Sequence, residues 1–149
     1  MNNFVTIIFL AVLPFTCLAQ QTIEYTITHD GLEREYILYV PASYTGSDSV
    51  PLLFNFHAFG GFSQQQMAYG DFRSIADSAG FLVAHPQGTG DDGQRIWNIG
   101  IDTLVVDDVG FTEAMIDSID AEYNIDRDRI YATGHSMGAF FSIYLGRVS

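Results

Sequence analysis

Five consecutive residues carry the clearest chemical signal in this chain. Gly134-His135-Ser136-Met137-Gly138 reads G-x-S-x-G, and it falls directly after the strand-like segment 129–133 (RIYAT) and before an apolar stretch opening near Met137. In that setting the glycines let the chain turn sharply, so that Ser136 stands exposed at the end of a strand as a nucleophile. The Met137 N–H, at the start of the following helix, then points to where negative charge would develop on an attacked carbonyl oxygen. The plainer alternative is a tight strand-to-helix turn with no chemistry.

A second cluster, His57-Ala58-Phe59-Gly60-Gly61, follows the short apolar run 52–56 (LLFNF). A glycine-rich loop after a buried strand can present backbone amides; its place resembles that of the loop giving the second oxyanion N–H in α/β-hydrolases, which implies the Phe59 amide as that donor, with Ala58 the alternative. His57 is expected to order this loop by hydrogen bonding and not to act as a base. Without a catalytic role the segment is a flexible connector.

The elements that must hold these pieces alternate between strand and helix. Residues 22–29 and 33–40 alternate β-branched or aromatic with polar positions around Asp30-Gly31, a hairpin signal. Residues 52–56 and 81–84 read as strands buried on both faces. One helix is expected over 63–79, with Ser63 as N-cap, Gly80 as its end, and Ala68, Phe72, Ile75, Ala76 and Ala79 as its apolar stripe. A second is expected over 106–123, its stripe formed by Val109, Met115, Ile116, Ile119 and Tyr123, with Asp107 and Asp108 suiting the helix dipole. An antiparallel hairpin followed by β-α-β-α-β-α predicts an α/β fold with a mostly parallel sheet covered on both faces.

The first nineteen residues stand apart. MNNFVTIIFLAVLPFTCLA has a short apolar run, then Pro14, and a small residue before Gln20. It is read as a signal peptide over 1–19, cleaved after Ala19, leaving 20–149 as the mature domain, with a secreted, extracellular or periplasmic location. The run is too short for a stable membrane span. A net charge of −12, with six Arg and no Lys, argues against nucleic-acid binding. The 48% hydrophobic content excludes a disordered acidic tail. One cysteine makes no internal disulfide, and no spacing suggests a metal site. Asp91, Asp92, Asp102, Asp107 and Asp108 match no calcium loop and are read as solvated loop or helix-start carboxylates.

Taken in order, the elbow, the His57–Gly61 loop, Pro86-Gln87-Gly88, Trp97-Asn98, the 106–111 segment VDDVGF and the 126–131 segment DRDRIY resemble one group. It is the secreted α/β-hydrolase group of polyhydroxybutyrate depolymerases and feruloyl or acetylxylan esterases, and the similarity spans 22–146. The resemblance implies ester hydrolysis through an acyl-Ser136, with no metal or organic cofactor. His57, Trp97 and Asn98 become candidates beside the substrate pocket, and core packing plus a turn is the plain reading of the Trp-Asn pair. The group usually has glycine where Ala58 stands; a positive φ there would cost about 1 kcal/mol.

The same resemblance implies an acid and then a histidine after the serine, yet 137–149 contain no Asp, Glu or His. His135 should point away from Ser136, and His29 sits at the hairpin turn. His85 ends a strand on the same sheet edge and is the histidine to weigh as a base, against a pocket-wall role. The chain therefore reads as the N-terminal part of an α/β-hydrolase, truncated after the elbow and with little turnover alone. Two alternatives are a noncatalytic secreted binding module on a hydrolase scaffold, and self-association that restores missing strands. The implied partner is an ester substrate: polyester, polysaccharide-linked or small acyl.

Overall fold

A computed structural model describes residues 19–90, 94–100 and 105–148; the signal-like residues 1–18 and Asp91, Asp92 and Asp102 lie outside them. The chain forms β1 (Gln21–His29), β2 (Leu32–Val40), β3 (Val50–Phe56), α1 (Ser63–Tyr69), α2 (Arg73–Ala79), β4 (Leu82–Pro86), α3 (Asp108–Glu122), β5 (Ile125–Gly134) and α4 (Met137–Val148). One five-stranded sheet runs β1-β2-β4-β3-β5. The β1–β2 and β2–β4 pairs are antiparallel, and the β3–β4 and β3–β5 pairs are parallel.

The hairpin follows from its turn chemistry. Asp30 and Gly31 have φ of 48° and 76°, the double left-handed geometry of a two-residue turn whose twist matches the strands it joins. This fixes the register from His29↔Leu32 to Gln21↔Val40. Side chains then alternate across the sheet. Leu38, Leu52, Phe54, Phe56, Leu82 and Ala84 face the main core with Phe111, Met115 and Ile119 of α3 and Phe141 and Leu145 of α4. Tyr39 and Val83 face the opposite side, against Ala76 of α2. Helices thus cover both faces, and the C-terminal ends of β3 and β5 lie side by side.

The single helix expected over 63–79 is two. Asn55 Nδ2 donates to Gly70 O (2.9 Å), taking the carbonyl that would carry α1 onward. The Asp71 carboxylate accepts the Arg73 N–H (3.1 Å) to start α2. Ser63 is the first helical residue, not the cap: Phe62 takes that position, and Gln87 Oε1 accepts the Ser63 N–H (3.0 Å) from outside. The expected stripe is not the buried one, since Ala68, Ile75 and Ala79 are exposed and Ala76 alone of α2 is buried. Ser63 and Gln66 are the buried residues of α1, so that helix docks through polar contacts.

In α3 the expected Met115 and Ile119 are buried, joined by Phe111 and Thr112. Asp107 caps the helix, accepting the Gly110 N–H (2.9 Å), whereas Asp108 is buried in an ion pair with Arg34 (2.7 Å) and is no solvated carboxylate. Strand β5 begins four residues earlier than expected because its register shifts against β3. Val50 pairs with Ile125 but Leu52 with Ile130. Arg129 Nε donates to Asp126 (2.6 Å) across the bulged residues.

Candidate active site

The elbow sits where the parallel strands end. Phe56 of β3 is in register with Gly134 of β5, and one residue on the His135 N–H donates to Phe56 O (3.0 Å). Ser136 then takes φ 51°; among the described residues it and Asp30 are the two non-glycines with positive φ. Such a conformation costs on the order of 1–3 kcal/mol and persists only where its surroundings enforce it. Here they do: the Gly138 N–H donates to His135 O (2.9 Å), and the Ala139 and Phe140 N–H groups donate to Ser136 O (3.0 and 3.1 Å). The flanking glycines are needed for contact. A Cβ on Gly134 would lie 2.6 Å from the Gly138 carbonyl carbon, and one on Gly138 would fall onto Phe56 O. Ser136 is exposed, and among the described residues no group hydrogen-bonds its Oγ.

The glycine loop lies beside the elbow. Within it the Gly60 N–H donates to Arg95 O (2.8 Å) and the Gly61 N–H to Ala58 O (2.9 Å). The Ala58 and Phe59 amides are left without a partner among the described residues. Met137, first residue of α4, contributes an amide that no intrahelical carbonyl can reach. Positive φ in this loop is confined to Gly60 (70°), so Ala58 does not incur the backbone cost anticipated from its replacement of glycine.

His57 and Trp97 stand behind this loop and line no part of its cavity. His57 Nδ1 donates to Ala58 O (2.7 Å) and Nε2 accepts the Gly88 N–H (2.9 Å), which selects the tautomer. Burial pushes its pKa below the usual histidine value, so the ring is neutral. Trp97 is buried, edge-on to Phe56 and stacked on Phe141, and its Nε1–H donates to His57 O (2.9 Å). Asn98 is a turn residue: Nδ2 donates to Val106 O (3.0 Å) and Oδ1 accepts the Gly100 N–H (3.0 Å).

The cavity itself, about 340 Å³, is lined by residues 58–61 and by Gln65, Gln66, Tyr69 and His135. Tyr69 stacks on His135 with centroids 4.7 Å apart. Phe59 and Tyr69 are 57% and 70% exposed and form an aromatic rim of this cavity, which reaches the elbow at His135. Gln66 forms the floor, its Nε2 donating to Asn55 Oδ1 (2.8 Å). Sequence reasoning missed Tyr69 and Gln66, which lie on a short helix with no motif to mark them.

All four histidines are placed, and none bonds Ser136. His29 pairs with Asp107 (3.1 Å), His57 is engaged in the loop, and His135 stacks on Tyr69. His85 is neither a base nor a pocket wall. It is fully buried in β4, and among the described residues neither ring nitrogen has a hydrogen-bond partner. Burial first, and the Arg73 charge second, push its pKa down to about 4. The unfolded chain therefore binds a proton near pH 6.5 that the folded chain takes up only near 4. Stability should fall as pH drops through that window and level off below it. His85→Leu should flatten the fall by a few kcal/mol, on the order of 1.4 kcal/mol for each pH unit crossed, in urea titrations between pH 7 and 4.

An open α/β sheet with a serine elbow at the C-terminal ends of its parallel strands, and a glycine loop of free amides beside it, defines an α/β-hydrolase fold. Solved structures share it: an S-formylglutathione hydrolase of Agrobacterium tumefaciens superposes with a TM-score of 0.67 at 16% identity, over 89% of this chain and 55% of that one. No protein-family model matches the chain. In sequence it is homologous to feruloyl and acetylxylan esterases. Feruloyl esterase B of Piromyces equi is 34% identical over 113 residues, which are 76% of this chain and 21% of that protein. A bifunctional acetylxylan esterase/xylanase of Neocallimastix patriciarum is 31% identical over 114 residues, 76% of this chain and 16% of that protein. The chain thus spans about a fifth or less of these two curated relatives.

Proposed function

We propose that this chain carries the nucleophile and oxyanion donors of a secreted carboxylic-ester hydrolase acting on feruloyl or acetyl esters of plant polysaccharide. The observation that carries the reading is Ser136, held at φ 51° just before the first amide of α4, with the glycine loop and its unpartnered Ala58 and Phe59 amides packed against the elbow. In this reading a base removes the Oγ proton as Oγ bonds to the ester carbonyl carbon. The carbonyl oxygen gains charge facing the Met137 and Phe59 amides, the alcohol leaves with a proton, and water then hydrolyses acyl-Ser136. Among the described residues none of the four histidines hydrogen-bonds Ser136, so this reading needs a base that these residues do not supply. The secretory signal read over 1–19 supports a location outside the cell, and among the described residues no helix is long and apolar enough to cross a membrane.

Substrate class follows from the relatives and from the rim. Phe59 and Tyr69 offer exposed ring faces to a planar acyl group, while Gln65 and Gln66 offer amides to hydroxyl or methoxyl oxygens. Tyr69→Ala should raise KM for methyl ferulate about 3–10-fold and leave KM for 4-nitrophenyl acetate within twofold, as an aromatic contact of roughly 0.5–1.5 kcal/mol predicts. Equal changes for both esters, measured in steady-state assays, would remove the ring-stacking role. The histidine inventory favours one second reading, a noncatalytic binding module on the same scaffold, in which Ser136→Ala leaves ligand affinity unchanged.

A further inference from the structure

The oxyanion loop is held from behind by two arms of chain, residues 87–89 and 94–98. The Gly88 N–H donates to His57 Nε2 (2.9 Å), Trp97 Nε1–H donates to His57 O (2.9 Å), and Arg95 O accepts the Gly60 N–H (2.8 Å). The Ile96 N–H donates to Thr89 O (2.9 Å), tying the arms to each other. Apart from that single bridge neither arm belongs to a strand or helix, so their position depends on what anchors them.

One buried ion pair anchors both. Arg34 of β2 and Asp108 of α3 meet at 2.7 Å, at 3% and 1% exposure. Arg34 Nη2 also donates to Gln87 O (3.3 Å), where the first arm begins, and Asp108 Oδ2 accepts the Asn98 N–H (2.7 Å), where the second ends. The guanidinium lies 3.9 Å over the Phe111 ring, which fixes its plane. Desolvating two charges is a poor route to stability, and such pairs are commonly replaceable by apolar side chains. Their particular use is directional: a rigid fork and a two-oxygen acceptor each bind the partner and one loop end at once.

We infer that the Arg34–Asp108 pair is a clasp that fixes the register of the oxyanion-donor loop, making Arg34 and Asp108 positioning residues for acyl transfer. They touch no substrate. Their effect reaches the Phe59 region through Gln87–Gly88–His57 on one side and Asn98–Trp97–His57 on the other. The kinetic consequence rests on the esterase reading; the mechanical one does not.

Trp97 is the only tryptophan of the chain, so its indole N–H gives one unambiguous signal. In native-state hydrogen exchange on the unmodified protein, the Gly60, Gly88 and Asn98 amides and the Trp97 indole should open as one unit with a shared denaturant dependence. Arg34→Gln/Asp108→Asn removes both charges together and keeps an acceptor for Asn98. It should speed exchange of all four donors at least ~10-fold, while the Phe54 and Ala84 amides of the central strands change less than about threefold. Phosphonylation of Ser136 by a fluorophosphonate should slow at least ~10-fold, with the half-saturating concentration within about threefold. Independent opening of the four donors in the unmodified protein overturns the clasp even if the double variant does not fold. So does an unchanged Trp97 indole in a folded double variant. Absence of phosphonylation in the unmodified protein counts against the esterase reading alone, and the exchange data then decide the clasp.

Discussion

In the protein as its source makes it, Ser136→Ala is expected to lower ester hydrolysis by at least about 10³-fold without loss of the fold. The hydroxyl is exposed and bonds to no described group, so its removal breaks no structural contact. The backbone bonds that enforce the elbow run through His135 O, Ser136 O and Phe56 O, all of which the alanine variant keeps. Alanine also shares serine's discomfort at φ 51°, so thermal unfolding should stay within a degree or two of the parent. Ser136→Gly separates the two roles of this position. It should be as inactive as the alanine variant yet more stable by about 1 kcal/mol, because only glycine occupies that region without a Cβ penalty. A glycine variant no more stable than alanine, in matched urea unfolding curves, would mean that the elbow stores no strain.

Gly138→Ala is expected to be the most damaging single methyl in the molecule. The added Cβ would meet Phe56 O, the Phe56 carbonyl carbon at 2.6 Å and His57 O at 2.8 Å, all of them backbone. No side-chain rotation relieves such a clash, so α4 must back away from β3. Overpacking of a tight interior contact costs typically 1–3 kcal/mol and sometimes more. The displacement falls on the two groups that matter most, because Met137 precedes Gly138 and the Phe59 amide lies two residues beyond His57. A shift of about 1 Å between nucleophile and oxyanion donors is enough for a loss of roughly 10²-fold in rate. Gly146→Ala on the same helix, where a Cβ meets nothing within 4 Å, is the control and should leave both stability and rate near the parent values. Parallel urea melts and hydrolysis assays of the two variants make the comparison direct.

Much of this site was legible because it is local. The elbow's five residues set their own turn, and Asp30-Gly31 set the hairpin, so neither needed information from elsewhere in the chain. What was misread depended on distant partners. The break between α1 and α2 is made by Asn55, a strand residue that claims Gly70 O, and nothing within 63–79 announces it. The neighbours Asp107 and Asp108 look alike in sequence, yet one caps a helix in contact with solvent and the other meets Arg34 inside the protein. For Trp97 the sequence leaves a place beside the pocket and a place in the core equally open. Its indole supports the loop from the core side, a role set by the packing of Phe56 and Phe141. The aromatic rim was invisible for the opposite reason: Tyr69 reaches the site only because α1 stops at Gly70 and leaves it beside His135.

A nucleophilic Ser136 is tested by treating the protein, as its source makes it, with a fluorophosphonate ester and mapping the adduct by mass spectrometry of its peptides. One covalent adduct is expected, on Ser136, and none in Ser136→Ala. An unlabelled protein that is otherwise folded, or an adduct on any other residue, would contradict it.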